Sequence, residues 1–341
     1  MSRKISLVAA AVLALGIGAP MARAETPSTV GATYRAESAT VALAPGEKIE
    51  TLFTKNMTQP YILQKLTDRV YFYQGGFYGT VFYVGAERVL LFDALEGQGP
   101  GLLEAIGSVT DLPVAAIVYS HNHADHINDA PKILAAFPGA QVIATEATAA
   151  QMARLGSAHP APTEVIGAEE ASFLFEGLEV GVVRAADDAH AHDHAIFVLN
   201  GEGVVHVPDV INPDQPPFWS FAGSASYLGY REIVEQIGAL DWQYLSGGHG
   251  NVGSHEDIAF YLAYLDGLEA AVGQAMGEAP WGFGVDASTL TAHTAMLPAW
   301  YGEIARRATE TMRPEYGAFY GFEAATPANA EMVAEYLFSY R

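Results

Sequence analysis

Two hydrophobic periods alternate along the chain. "RVYFYQGG" and "GTVFYVGAERVLLFDA" are rich in β-branched and aromatic residues and are punctuated by Gly75-Gly76 and Gly85, which predicts strands joined by turns. "GLLEAIGSV" has helical spacing, and "VAAIVYS" is a short apolar strand. "PKILAAF" predicts a helix with Asp129 as N-cap and Pro131 in its first turn. "AQVIAT" reads as a strand and "EATAAQMARLG" as a helix closed by a glycine. The second half repeats the theme. "EVGVVRAA", "HAIFVLN", "GVVHVPD" and "WQYLSGG" are strands, while "SYLGYREIVEQIGAL" and "HEDIAFYLAYLDGLEAAVGQAM" are helices. Such alternation implies sheets covered by helices, an α/β architecture. Residues 25–60 are polar and irregular and read as an arm with little structure of its own. One main domain then spans 61–275, and 276–341 form an extension of short helical pieces mixed with aromatics.

The first 24 residues stand apart. Arg3 and Lys4 precede the apolar stretch "ISLVAAAVLALGIG", and "ARA" before Glu25 is a small-x-small cleavage site. This is the pattern of a secretory signal peptide cleaved after Ala24. The apolar core is shorter than the roughly 20 residues that span a bilayer. The expected mature chain is periplasmic or secreted, with no membrane attachment after cleavage.

Composition narrows the chemistry. Export sets an oxidising compartment, yet the chain has 0 cysteines. A disulfide framework and thiolate ligands are both excluded, so a metal site must use His, Asp and Glu. The formal charge is −22, and it becomes more negative when Arg3, Lys4 and Arg23 leave with the signal segment. Such a surface repels nucleic acid and anionic membranes. No nucleic-acid partner is expected, and a small molecule suits the chain better as substrate than a polyanion.

"SHNHADHIND", residues 120–129, packs His121, His123, Asp125 and His126 into six positions. In an extended segment His121, His123 and Asp125 share a face and His126 turns to the other. The cluster follows the apolar run 114–119, and the C-terminal ends of strands are where open α/β sheets carry their chemistry. Four ligands on one short loop suit two adjacent metal ions better than one.

His-x-His-x-Asp-His resembles the signature of the metallo-β-lactamase superfamily, and further residues follow in that family's order, each at a strand end. Asp93 closes "VLLFDA" and matches an aspartate that supports the ligands. In "DDAHAHDHAIFVLN", setting "AIFVLN" against the family's next strand puts His190 at the ligand position, with His192 as rival and His194 behind it. Asp209, closing "GVVHVPD", resembles the bridging aspartate, although Pro208 stands where the family usually has glycine. "LSGGHGNVGSHEDI" resembles the last signature, with His249 as ligand. The resemblance runs from about Arg69 to Ile258. It implies a four-layer αβ/βα sandwich, here with a helical C-terminal extension.

The ligand set then gives one ion His121, His123 and His190, and a second ion Asp125, His126 and His249, with Asp209 between them. Imidazole and carboxylate without thiolate suit two zinc ions best, and iron or manganese also fit. The resemblance implies a hydrolase in which a metal-bridging hydroxide attacks the carbonyl of an ester, lactone or amide, β-lactams included. Asp125 would orient the nucleophile and Tyr227 would donate to the developing oxyanion. No Gly-x-Ser-x-Gly elbow competes with this reading. Export suits a β-lactamase, whereas aspartate at 209 is more like the lactonase and thioesterase branches. A single-iron, persulfide-oxidising oxidoreductase of the same fold is the alternative. "GGFYG" at 75–79 reads as a flap. Phe218, Trp219, Phe221 and Tyr227 serve either an apolar or aromatic substrate at the pocket mouth or packing of the extension.

Overall fold

The computed structural model describes residues 27–50, 52, 58–184, 189–286, 288 and 292–340. The expected signal segment lies outside the described residues. Two sheets carry the structure. The first has seven strands in sequence order: β3 (Ile62–Lys65), β4 (Val70–Gly75), β5 (Tyr78–Val84), β6 (Val89–Phe92), β7 (Val114–Val118), β8 (Gln141–Thr145) and β9 (Glu164–Ile166). Its pairings are antiparallel up to β6 and parallel from β6 onward. The second has six: β10 (Ser172–Phe175), β11 (Leu178–Arg184), β12 (Ala195–Leu199), β13 (Val204–His206), β14 (Tyr244–Ser246) and β15 (Val252–Gly253).

The two sheets meet face to face. Phe72, Tyr83, Leu90 and Phe92 of the first interlock with Val180, Phe197 and Val204 of the second in one apolar core. These strands are apolar on both faces because helices cover their outer sides. On the first sheet lie α1 (Gly99–Val109), α3 (Ala130–Ala136) and α4 (Glu146–Leu155), which bury Leu102, Ile106, Ile133 and Met152 against Leu91 and Ile117. Between α1 and α3, α2 (Ala124–Ile127) is a single turn. On the second sheet lie α5 (Tyr227–Ala239), α6 (His255–Glu278), α7 (Met296–Tyr316) and α8 (Phe322–Tyr340), packed on Ile196, Val205, Val207 and Leu245. The order helix, sheet, sheet, helix is the expected αβ/βα sandwich. Among the described residues, no helix is long and apolar enough to cross a membrane.

Three expectations change. The C-terminal extension is built of long helices, not short pieces, with 21 residues in α7 and 19 in α8. Pro314 and Pro327 lie inside them. A proline near a helix end removes a hydrogen bond whose loss the packing of Trp300, Ile304, Val333 and Leu337 outweighs. Asp129 does sit at the N-cap of α3 but makes no side-chain cap there. Its carboxylate instead accepts from the Gly99 N–H, 2.7 Å away, at the start of α1. The N-terminal arm also has structure. Its β1 (Tyr34–Arg35) and β2 (Lys48–Ile49) pair in parallel.

That arm is tied down by a buried charge. The Lys48 ammonium is 0% exposed and lies 2.7 Å from Asp257 and 3.0 Å from Asp214. Burial alone would lower its pKa, but the two carboxylates outweigh burial and hold it above the ordinary lysine value. Asp257 also completes a capping box with Ser254 at the start of α6. Asp214 accepts from Tyr34 and Asn251. Lys48→Ala leaves two buried carboxylates without their cation and is expected to cost about 3–5 kcal/mol. Urea unfolding of the two proteins measures it, and an unchanged midpoint would show that the pair adds nothing.

Candidate metal centre

All the candidate ligands leave one edge of the sandwich. β6 ends at Asp93, β7 runs into His121, β13 leads to Asp209 and β14 to His249. β12 is antiparallel to β13, so its N-terminal end, just after His190, reaches the same edge. A hydrogen bond from the Ala195 N–H to the Ser120 carbonyl, 3.0 Å, joins the two sheets there.

The cluster loop is extended only as far as His123. Ala124 begins the turn α2, so Asp125 and His126 leave in helical rather than alternating directions. This sends Asp125 toward solvent and His126 inward, where it is 0% exposed.

Two groups of ligand atoms converge, one from His121, His123, His190 and Asp209, the other from Asp125, His126, His249 and Asp209. His190 Nε2 lies 3.1 Å from His121 Nε2, 3.1 Å from His123 Nδ1 and 3.0 Å from Asp209 Oδ2. In the second group, His249 Nε2 is 3.0 Å from Asp209 Oδ1 and 3.6 Å from Asp125 Oδ2. His126 Nε2 lies 3.1 Å from Asp209 Oδ2. Tetrahedral ligands ~2.0–2.1 Å from a zinc ion stand roughly 3.3 Å from one another. The donor set and spacing therefore fit a metal ion in each group.

The far side of each imidazole fixes which nitrogen faces inward. His190 Nδ1 donates to the Ala222 carbonyl at 2.5 Å, and His249 Nδ1 to the Phe77 carbonyl at 2.8 Å. His126 Nδ1 donates to Asp93, 2.9 Å. In each case the other nitrogen is the one presented to the cluster, the orientation a ligating histidine requires, and a bound cation would displace any proton it carries. Asp93 is 0% exposed and also accepts from the backbone and side chain of Ser120, and from His206. Burial would raise its pKa, but His126 and His206 outweigh burial and hold it well below the usual carboxylate range. Burial likewise favours neutral His121, whose pKa is driven far down, helped by His126 and His190. Burial opposes charge on His249 too, yet Asp209 and Asp125 prevail and lift its pKa to about 9. Around His126 and His249 the carboxylates therefore favour positive charge.

Backbone geometry follows from the crowding. Asp93 (φ 47°) and Asp209 (φ 69°) are both left-handed, a conformation that Asp tolerates better than most residues. Pro208, standing where a glycine was expected, is accommodated, and its carbonyl accepts from His194 Nε2 at 2.8 Å. Gly248 instead supplies the needed space, because a Cβ there would lie 2.8 Å from Asp209 Oδ1. Ser220, Phe221 and Ala222 form a left-handed turn with φ of 48°, 46° and 57°, at a cost of roughly 1–2 kcal/mol per residue.

The seven expected ligands come together. Of the two rivals to His190, His192 is exposed and His194 is buried beneath His121 and His190. Tyr227 does not join the site. Its hydroxyl donates to Glu269 at 3.1 Å, and the side chain is buried beside Tyr336 and Phe221. As the first residue of α5 it faces the outer helices, which position in sequence did not reveal. Of the other aromatics, Phe221 is core at 0% exposure, whereas Phe218 lies parallel to the His249 ring at 6.4 Å. His206 and Tyr78 are the residues that sequence reasoning missed. His206 bridges Ser246 and Asp93. Tyr78 sits edge-on to His249 at 5.4 Å, and its pKa is raised by burial and by Asp125. The "GGFYG" segment is the β4–β5 hairpin, turning at Gly76 (φ 57°). Phe77 at its tip forms one wall of a cavity of about 200 Å³ beside His249, with Gln74, Gln215, Phe218 and Tyr320.

The family model "Metallo-beta-lactamase superfamily" matches residues 75–249, just over half of the chain. Three solved structures share the fold. The metallo-β-lactamase from Pontibacter korlensis has a TM-score of 0.52 at 17% identity, with 60% of this chain and 98% of that chain covered. Metallo-β-lactamase IND-7 gives 0.50 at 19%, covering 61% and 99%. VMB-1 gives 0.51 at 18%, covering 61% and 97%. No curated protein matches the sequence significantly.

If His190 rather than His192 holds the first ion, His190→Ala retains one equivalent of zinc after dialysis while His192→Ala retains as much as the parent protein. Elemental analysis of the dialysed variants reads this directly, and the reverse pattern would reassign the ligand.

Proposed function

Because the chain belongs to the metallo-β-lactamase superfamily, whose members are mostly metal-dependent hydrolases, we propose that it is a dinuclear zinc hydrolase acting on an ester, lactone or amide. One observation carries the reading. Seven side chains supply two convergent ligand groups that share the single carboxylate Asp209. Zinc bound there would supply a nucleophilic hydroxide near neutral pH and an electrophile for the carbonyl oxygen.

The chain's own residues do the rest. Asp209, buried, spans the two groups and fixes their separation. Asp125 is partly exposed beside His249, so its carboxylate can accept the proton of an attacking water from the solvent side. Phe77, Phe218 and Tyr320 present aromatic surface on the flank next to His249. A cavity of about 150 Å³ holds a benzene ring, so the cavity of about 200 Å³ suits a single aromatic or branched apolar group next to the reacting carbonyl. An aspartate at 209 favours an ester or lactone over a β-lactam. The N-terminal pattern supports a periplasmic or secreted enzyme.

The test is a hydrolysis panel on the zinc-loaded mature protein. It holds a γ-lactone, a p-nitrophenyl ester, an acyl thioester and a chromogenic cephalosporin. Turnover of at least one carbonyl substrate is expected, lost on chelation and restored by zinc. Two bound zincs with no hydrolysis across the panel would sink the proposal. One bound iron with oxygen uptake on a persulfide would replace it with the oxidoreductase reading.

A further inference from the structure

We propose that the C-terminal helix α8 is a working part of the metal site, and that Asn329 is a positioning residue for His190. The proposal rests on His190 being a ligand, as read above. It begins with the left-handed turn. Ser220, Phe221 and Ala222 all have positive φ, and none is glycine. Local preference does not favour this conformation, so something outside the turn must hold it. Yet this turn carries the Ala222 carbonyl that accepts from His190 Nδ1.

Asn329 is what holds it. The side chain is 0% exposed and uses both ends of its amide. Its Oδ1 accepts from the Phe221 N–H at 3.0 Å, and its Nδ2 donates to the Pro217 carbonyl at 2.9 Å. The two bonds grip the segment on either side of Phe218, Trp219 and Ser220. A carboxamide offers a donor and an acceptor in that fork without having to titrate. The turn is also pinned by Phe221, fully buried with its ring 4.8 Å from that of Tyr230. Asn329 itself is seated by the α6–α8 packing, where the Tyr264 hydroxyl donates to Thr326 at 2.9 Å. The loop between α7 and α8 adds Tyr320 to the cavity beside His249.

Apart from Tyr230, the residues that make these contacts with the turn and the cavity lie beyond 249, where the family match ends. The support of one ligand thus reaches into the C-terminal extension. His126 and His249 are supported separately, by Asp93 and the Phe77 carbonyl. Loss of Asn329 should therefore act on the ion held by His121, His123 and His190 and spare the other. Without the Ala222 carbonyl in place, the His190 ring is free to rotate or to carry its proton on Nε2, where it cannot ligate.

The test uses the full mature chain with Asn329→Ala and Asn329→Asp, the latter assayed at a pH where its carboxyl is ionised, so that it keeps the acceptor but loses the donor. Two readouts are taken. The first is zinc affinity by chelator competition. One of two binding events should weaken by about 10–100-fold in Asn329→Ala, with the other unchanged, and Asn329→Asp should fall between. The second is the His190 tautomer in the metal-free protein, from imidazole ¹⁵N shifts. The Nδ1–H form should dominate in the parent protein and lose its dominance in both variants. Should Asn329→Ala not fold, Asn329→Asp carries both readouts. Equal weakening of both events, or an unchanged tautomer, overturns the proposal. If the parent protein binds no zinc at all, the functional reading fails while the tautomer still decides the role of Asn329.

Discussion

Imidazole nitrogens facing one another at about 3 Å govern this molecule. His190 Nε2 meets His121 Nε2 and His123 Nδ1 at 3.1 Å each. Neutral imidazoles so placed can satisfy each other only in part, since one N–H at most can point at the His190 Nε2 lone pair, and protonating all of them would be worse. The arrangement becomes favourable when a cation accepts the lone pairs. Asp209, with its carboxylate between both groups, adds negative charge to each of them. The rest of the edge keeps these atoms where they are, through carbonyls and carboxylates that take up the outer N–H of His126, His190 and His249.

That convergence explains why structure outside the site is so firmly fixed. The segment from Asp209 to Gly223 carries the shared carboxylate and the carbonyl behind His190, and five of its non-glycine residues are left-handed. It is gripped from both sides. Lys48 of the N-terminal arm holds Asp214, while Asn329 of the C-terminal helix holds Pro217 and Phe221. Backbone strain next to the ligands is offset by buried polar contacts farther away.

Much of this could be read in the sequence. The cluster at 121–126 is visible because its ligands are adjacent, and Asp209 and His249 because each directly follows a short apolar strand. The sandwich is legible because its strands and helices differ in hydrophobic period. Three features were not. Lys48 lies in a polar arm, and nothing local pairs it with residues 166 and 209 positions away. Tyr227 stands close to Asp209 in sequence, but the turn at 220–223 and the start of α5 carry its hydroxyl to Glu269. The long C-terminal helices hide behind internal prolines, because their stability comes from packing on the second sheet. Sequence shows what strands deliver to one edge; it does not show the long-range side-chain contacts that hold them there.

The most direct test of the paired-cation account is a crystal of the zinc-loaded protein measured above and below the zinc absorption edge. Two anomalous peaks are predicted, one among His121, His123 and His190 and one among Asp125, His126 and His249, with Asp209 between them. A single peak, or none at this edge of the sandwich, would contradict it.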